Sequence, residues 1–353
     1  MKKTIKITLI ILLFLGIYIT NTLYQSGYFR TIENHFDGTT QKITGLVGTE
    51  DITIDQNTGF AFLSSDDRWA SLLRNENPKG AIYGLNLNDS IPDLINLTEN
   101  SPLEDFRPHG ISLYISPLGK RTLFVVNHRK SGNYIEIFEF KNDSLIHQES
   151  ITNDLLISPN DVVGVGDRSF YFTNDHDEKF SSGRNIKDIL KIGMGNVCYF
   201  DGKNMSKTSI ENIKYANGIN VSLDGKTLFL ASTSSNTLLV YERNISTGTL
   251  TKTDEIDTKT GVDNIELDKK GNIWIGCHPQ ALKFLVHTKD EKKFSPSEII
   301  EIIYRGKGNY EQKSVYLNNG SEISASAVGA VYKDRLLVGP VFQEGIILGK
   351  MSK

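Results

Sequence analysis

Short runs in which apolar residues alternate with polar ones, separated by glycine-bearing turns, fill the chain from Gly45 to its end. Two-residue alternation marks a strand, because successive side chains of an extended backbone point to opposite faces. It is clear in Ile52-Thr53-Ile54, in Phe60-Ala61-Phe62-Leu63-Ser64, in Tyr134-Ile135-Glu136-Ile137-Phe138-Glu139-Phe140 and in Phe170-Tyr171-Phe172. Asn57-Thr58-Gly59, Pro117-Leu118-Gly119-Lys120, Leu223-Asp224-Gly225-Lys226 and Lys269-Lys270-Gly271-Asn272 read as the turns between strands, where glycine supplies positive φ at little steric cost. The clearest unit begins at Gly218: strand, Asp-Gly turn, strand, Ser-Ser-Asn turn, and a third strand from Thr237. Gly271-Asn272-Ile273-Trp274-Ile275-Gly276-Cys277-His278 repeats its second strand after a further period, and a sixth unit begins near Ala325 and ends with Arg335–Val341. Units of roughly fifty residues with four strands each predict an all-β, six-bladed β-propeller around a central channel. The apolar runs 187–199 and 297–305 are expected to hold short helices, with Ile189-Leu190 and Ile299-Ile300 facing the sheets.

A polar pair precedes five of these strands at nearly regular spacing. Glu50-Asp51 stands before Ile52, His109-Gly110 before Ile111, Asn160-Asp161 before Val162, Asn217-Gly218 before Ile219, and Asp263-Asn264 before Ile265. Singly, such dipeptides usually mark turns. If each following strand is the innermost of its blade, the five tips meet on one axis; a β-sandwich gives no reason for such placement. Glu50, Asn160, Asn217, Asp263 and Asn264 then supply two carboxylates and three amides. That neutral, oxygen-rich cage suits one Ca²⁺, which takes six to eight oxygen ligands, rather than zinc, which favours nitrogen and sulfur. Adjacent acceptors in Glu50-Asp51 and Asn160-Asp161 point opposite ways along an extended chain. One of each pair can face a second ion, so two Ca²⁺ are expected, the second held by Asp51, Asp161 and a backbone carbonyl.

His109 is of another kind. His128 ends the next strand, after a Pro-Leu-Gly-Lys turn, so the two histidines lie on neighbouring strands of one hairpin. Imidazole titrates near 6.5, so a neutral His can take a proton from water near neutral pH, and a second can orient it. With a metal that stabilises an oxyanion, this is equipment for ester or lactone hydrolysis. His278 reads as a wall or structural residue and His176 as a hydrogen-bonding brace. No G-x-S-x-G elbow is present, so a serine-hydrolase mechanism lacks its usual sequence sign.

Two lysines followed by an apolar run, Ile7–Thr20, open the chain and read as an uncleaved signal anchor over residues 1–24, with a cleaved signal peptide as the alternative. Residues 25–44 read as a connector and 45–353 as the propeller domain. The folded body is then expected outside the cytoplasm, membrane-anchored or secreted, where calcium is plentiful. Over 353 residues the net charge is −3 and no basic run occurs, which gives no footing for nucleic-acid binding. Cys198 and Cys277, the only cysteines, read as buried free thiols.

Gly48-Thr49-Glu50-Asp51-Ile52, Pro108-His109-Gly110-Ile111-Ser112, Asn160–Gly166, Phe172–His176, Tyr215–Lys226, and Val262–Ile265 with Trp274–Pro279 together resemble the paraoxonase/arylesterase family. The resemblance runs from about Gly45 to the C-terminus. It implies a six-bladed propeller with two calciums in its channel: a catalytic one on Glu50, Asn160, Asn217, Asp263 and Asn264, and a structural one on Asp51, Asp161 and the carbonyl of Ile111. It places the family's histidine dyad on His109 and His128. Glu50 is expected to help position or deprotonate the attacking water. It implies hydrolysis of lactones and aryl esters, and sometimes of organophosphate triesters. Animal members carry a disulfide between the first blade region and the C-terminal end. This chain has no cysteine in either place, so ring closure is expected to rely on pairing between Leu336–Gly339 and the N-terminal segment. The loops Ser64–Lys79 and Asp177–Arg184 look unlike those of animal members, which bears on substrate preference. The competing reading is a non-catalytic, membrane-tethered binding module whose calciums only close the ring.

Overall fold

The computed structural model describes residues 2–178, 187, 190 and 192–352. Among these residues the strands form six antiparallel sheets. After β1 (His35–Phe36) and β2 (Gly38–Val47), the first blade comprises β3 (Ile52–Asp55), β4 (Phe60–Ser65), β5 (Ala81–Asn86) and β6 (Ile95–Asn96). The second comprises β7 (Pro108–Ile115), β8 (Arg121–Arg129), β9 (Gly132–Lys141) and β10 (Ser144–Ile151). The third holds β11 (Pro159–Gly164), β12 (Phe170–Asn174), β13 (Asn196–Phe200) and β14 (Met205–Lys207). The fourth holds β15 (Ala216–Val221), β16 (Thr227–Ser232), β17 (Thr237–Arg243) and β18 (Leu250–Asp257). The fifth is built from β19 (Gly261–Leu267), β20 (Ile273–His278), β21 (Ser297–Tyr304) and β22 (Tyr310–Asn318), and the sixth from β23 (Ser326–Tyr332), β24 (Arg335–Pro340) and β25 (Glu344–Met351). The first strand of each blade is innermost and packs against its counterparts in the two adjoining blades, so the six form a ring. The chain is a six-bladed β-propeller.

There is no single core. Each pair of adjoining blades encloses its own apolar layer. Phe62 of β4 points with Ile82 toward Leu123, Val125 and Phe138 of the second blade, while its neighbours Ala61 and Leu63 point toward Val328, Ala330, Leu337 and Ile346 of the sixth. Sheets sandwiched in this way bury both faces, and each fully buried aliphatic or aromatic side chain contributes about 1.5–3 kcal/mol. Cys198 and Cys277 lie in two of these layers as free, buried thiols.

Two expectations need correction. Residues 297–304 form strand β21, and 196–200 form β13, not helices. Short apolar runs suit either element, and Ile299, Ile300 and Ile302 are buried because a blade strand has two apolar faces. Leu190 is exposed rather than packed on a sheet, and Ile189 lies outside the described residues, as does most of Asp177–Arg184. The ring closes on a different strand from the one expected. β2 pairs with β25, in register from Gly38–Met351 to Val47–Glu344, and Leu336–Gly339 sit one strand further in, on β24. β2 and the last strand thus share one blade, and closure rests on backbone hydrogen bonds. β1 adds a fifth strand to the fifth blade, pairing His35 with Leu317 and Phe36 with Tyr316.

Helix α1 (Lys2–Gln25) precedes the body, and Thr4–Gln25 is long and apolar enough to cross a membrane. Its Thr8 and Thr22 hydroxyls donate to the carbonyls of Thr4 and Tyr18, so they place no unpaired donor on the apolar surface. The chain then docks on the body. Ala281 N donates to Ser26 O at 2.9 Å, and Arg30 makes two bonds to the buried Glu298 carboxylate at 2.7 and 2.6 Å.

Candidate active site

Ladder pairing breaks near the start of the inner strands at one repeated place. The breaks fall between Pro108 and Ile111, Pro159 and Val162, Ala216 and Ile219, and Val262 and Ile265. A bulge leaves residues unpaired and re-aims their side chains. Those residues are His109-Gly110, Asn160-Asp161, Asn217-Gly218 and Asp263-Asn264. The fifth tip, Glu50-Asp51, sits just before β3. The sixth blade breaks between Ser326 and Val328, so its unpaired residue is Ala327 and it brings no polar tip to the axis. Close packing of the bulges explains the two glycines. A Cβ on Gly110 would lie 2.4 Å from Asp161 Oδ1, and one on Gly218 would lie 2.5 Å from the Asp263 carbonyl oxygen. Gly218→Ala is therefore expected to cost about 1–3 kcal/mol in denaturant unfolding, as overpacking does.

Glu50, Asn160, Asn217, Asp263 and Asn264 are each at least 95% buried. Asn264 Nδ2 donates to Glu50 Oε1 at 2.8 Å and to the Glu50 carbonyl oxygen at 2.9 Å, which turns its own Oδ1 away from them. Asn217 Nδ2 donates to Thr233 Oγ1 at 3.1 Å. Four buried acceptors are left with no hydrogen-bond partner: Glu50 Oε2, Asn160 Oδ1, Asn217 Oδ1 and Asn264 Oδ1. A buried unpaired acceptor costs about 1–3 kcal/mol. Four of them from four blade tips, with two carboxylates, form the donor set of a hard cation, and the residues fit Ca²⁺. Among the described residues no group of three or more His, Cys, Asp or Glu side chains is arranged to hold a metal, so amide oxygens are indispensable to this set. Burial draws the Glu50 carboxyl upward, but His109 when protonated, with Arg68 and Asn264, outweighs it and holds the carboxyl down at about 2.

One level down the channel, Asp51 accepts from Ile52 N at 2.9 Å and Ile111 N at 2.7 Å, while Asp161 accepts from Val162 N and Ile219 N, both at 2.7 Å. Each carboxylate thus bridges two blades, and Ile111 lies directly beside Asp51. Burial first, and then neighbouring charge (Glu50 for Asp51, Asp51 for Asp161), push both well above the usual carboxylate range against the pull of those amides. A third carboxyl, Glu266, was not anticipated. It sits 3.5 Å from Thr53 Oγ1 and is raised in the same way by burial and Asp51.

These shifts set a pH dependence. A carboxyl with a raised folded pKa stabilises fully below its unfolded value, about 4, and that contribution is lost as pH rises through the folded value. Calcium ligation needs the deprotonated forms. The gain in melting temperature on adding calcium is therefore expected to be smallest in acid and to grow as pH rises through the raised values. A gain independent of pH would contradict this assignment.

His109, in the bulge of β7, and His128, near the end of β8, come together, with His109 Nδ1 3.0 Å from His128 Nε2. His109 Nε2 lies 3.4 Å from Glu50 Oε1. Burial, and then the neighbouring His109, lower the His128 pKa to about 4, so His128 is neutral near pH 7. His278 Nε2 donates to Asp263 Oδ2 at 2.8 Å, and its ring stacks on Phe284 with centroids 4.0 Å apart. His176 bonds Asp175 at 2.9 Å.

An aromatic wall escaped sequence reasoning. Trp69 of α2 (Arg68–Leu73) stacks on Phe342 at 5.2 Å, and Phe284 of α3 (Ala281–His287) joins Phe342 to His278. Arg68 donates to the carbonyls of Gly48 (2.8 Å), Val341 (3.2 Å) and Pro108 (3.2 Å). One guanidinium thus clamps the segments that carry Glu50 and His109 across the closure seam.

Fold and site together define a class: a six-bladed propeller with a ring of oxygen donors on its axis and a histidine pair beside it. The family model described as Arylesterase matches residues 38–348, and the chain belongs to the arylesterase family. It is 33% identical over 306 residues to serum paraoxonase/arylesterase 1 of Homo sapiens, and 35% identical over 306 residues to serum paraoxonase/arylesterase 2 of Gallus gallus, in both cases over 85% of each chain. A calcium-binding protein, regucalcin, from Agrobacterium tumefaciens has the same fold, with a TM-score of 0.52 and 15% identity over 91% of this chain and 98% of that one. Family membership makes the protein an enzyme of the esterase/lactonase class.

Proposed function

We propose that the protein is a calcium-dependent hydrolase of lactones and aryl esters, tethered to a membrane by α1, with organophosphate triesters as a further substrate class. The observation that carries this reading is the convergence of four unpartnered acceptor oxygens beside a histidine pair. Glu50, Asn160, Asn217, Asp263 and Asn264 would hold the catalytic calcium; Asp51, Asp161 and the Ile111 carbonyl would hold the structural one. A bound calcium supplies Lewis-acid polarisation of the substrate carbonyl. The protein's own residues do the rest. His109 Nε2 accepts a proton from water, and His128, neutral at working pH, bears on His109 through Nδ1 and shares the developing charge. Glu50 Oε1, 3.4 Å from His109 Nε2, orients that water. Half-buried Phe284, backed by the buried Phe342 and Trp69, gives the aryl or acyl group an apolar surface.

The same cage and closed ring would also serve a binding module without catalysis. A panel separates the two readings: phenyl acetate, long-chain acyl lactones and aldonolactones offered to calcium-loaded protein. Hydrolysis of the first two, with little of the third, is expected. Inertness toward the whole panel would favour the binding module, and preference for aldonolactones would make the protein a sugar-lactone hydrolase.

A further inference from the structure

The histidine pair has a direction, and a residue outside the set named from the sequence controls it. A bond between two neutral imidazoles admits two orders: either His109 Nδ1–H donates to His128 Nε2, or His128 Nε2–H donates to His109 Nδ1. The first leaves a lone pair on His109 Nε2, facing Glu50. The second puts a proton there and removes the base. Glu50 on its own favours the second order, because its Oε1 stands 3.4 Å from His109 Nε2 and a carboxylate attracts an N–H.

The outcome turns on the far side of His128. His128 Nδ1 lies 2.9 Å from Asn133 Oδ1. Asn133 cannot offer its NH₂ there, because Nδ2 already donates to two carbonyl oxygens, of Leu156 and Ile157, both at 3.1 Å. Turning the amide over would set its oxygen against both of them. Asn133 therefore presents an acceptor, His128 must donate from Nδ1, its Nε2 must accept, and His109 must donate from Nδ1. The two carbonyls belong to the segment that leads into Asn160, and Asn174 holds the same segment by accepting from Ile157 N and Ser158 N at 3.1 and 3.0 Å.

We propose that Asn133 is a positioning residue that fixes the tautomeric order of both histidines, so that the His109 Nε2 lone pair faces the site. This rests on the reading of His109 as the base. In serine-protease triads, a wrong tautomer at unchanged geometry costs about 10⁴ in turnover. Asn133→Ala removes the acceptor and frees Glu50 to draw the proton to Nε2.

The test combines kinetics with a spectroscopic signature, on the full chain loaded with calcium. In ¹⁵N-histidine spectra, His109 and His128 of the unaltered protein should both carry their proton on Nδ1. Asn133→Ala should shift His109 toward the Nε2–H form and lower kcat for phenyl acetate at least ~10-fold, with KM within about twofold. Asn133→Asp retains an acceptor and should retain the Nδ1–H signature even if it is less stable. An Nε2 proton on His109 in the unaltered protein, or unchanged kcat and spectra in Asn133→Ala while His109→Gln is inactive, would overturn the role of Asn133 alone. An active His109→Gln would overturn the base assignment and this proposal with it.

Discussion

His109→Gln is expected to lower kcat for phenyl acetate and for lactones by about 10²–10⁴, the span that a positioned general base contributes. Glutamine is close to imidazole in length and its amide N–H can still donate to His128 Nε2, so packing and the propeller should survive. What it lacks is a nitrogen lone pair basic enough to take a proton from water. KM should change little, because His109 makes its decisive contribution in the transition state. His128→Gln should do less damage, since His128 bears on the reaction only through its 3.0 Å contact with His109 Nδ1. Rate assays at saturating calcium check both variants. Unchanged turnover of every substrate by His109→Gln would remove the base assignment.

The second large effect belongs to Glu50. Its carboxyl, held down at about 2, stays charged throughout the neutral range and contributes one of the two negative charges of the upper cage. Glu50→Gln keeps the shape and the acceptor for Asn264 while deleting that charge. Calcium affinity follows ligand charge. The variant should therefore bind its upper calcium at least ~10-fold more weakly and lose about 10² or more in turnover. The lower ion proposed on Asp51, Asp161 and the Ile111 carbonyl should be retained, so calcium titration would report one unchanged and one weakened site. Two unchanged affinities would remove Glu50 from the cage.

The placement of the cage residues was legible because each stands where polarity changes abruptly: two polar residues, then a buried strand. The bulges that aim them at the axis were not legible, since a bulge depends on the neighbouring strand as much as on its own. The hairpin that brings His109 and His128 toward one rim was legible, but their contact was not, because it depends on the bulge that holds His109. Asn133 was not legible either, because its meaning lies in two carbonyls at positions 156 and 157, more than twenty residues away. Trp69, Phe284 and Phe342 converge from three separate segments, and nothing local to any of them signals the others. Glu266 stands between Ile265 and Leu267 on β19, and nothing beside it in the sequence signals its neighbour Thr53, 3.5 Å away on the first blade. The expectation of a helix over 297–305 fails for the same reason that the fold is stable: a strand buried on both faces loses the alternation that identifies it.

The central claim is that hydrolysis depends on calcium held at the propeller axis. Its most direct test is to strip the full-length protein with chelator, verify that no metal remains, and follow phenyl acetate hydrolysis as calcium is titrated back. No hydrolysis is expected in the stripped protein, with full recovery on reloading with two calcium ions per chain. Full hydrolysis by verified metal-free protein would contradict it.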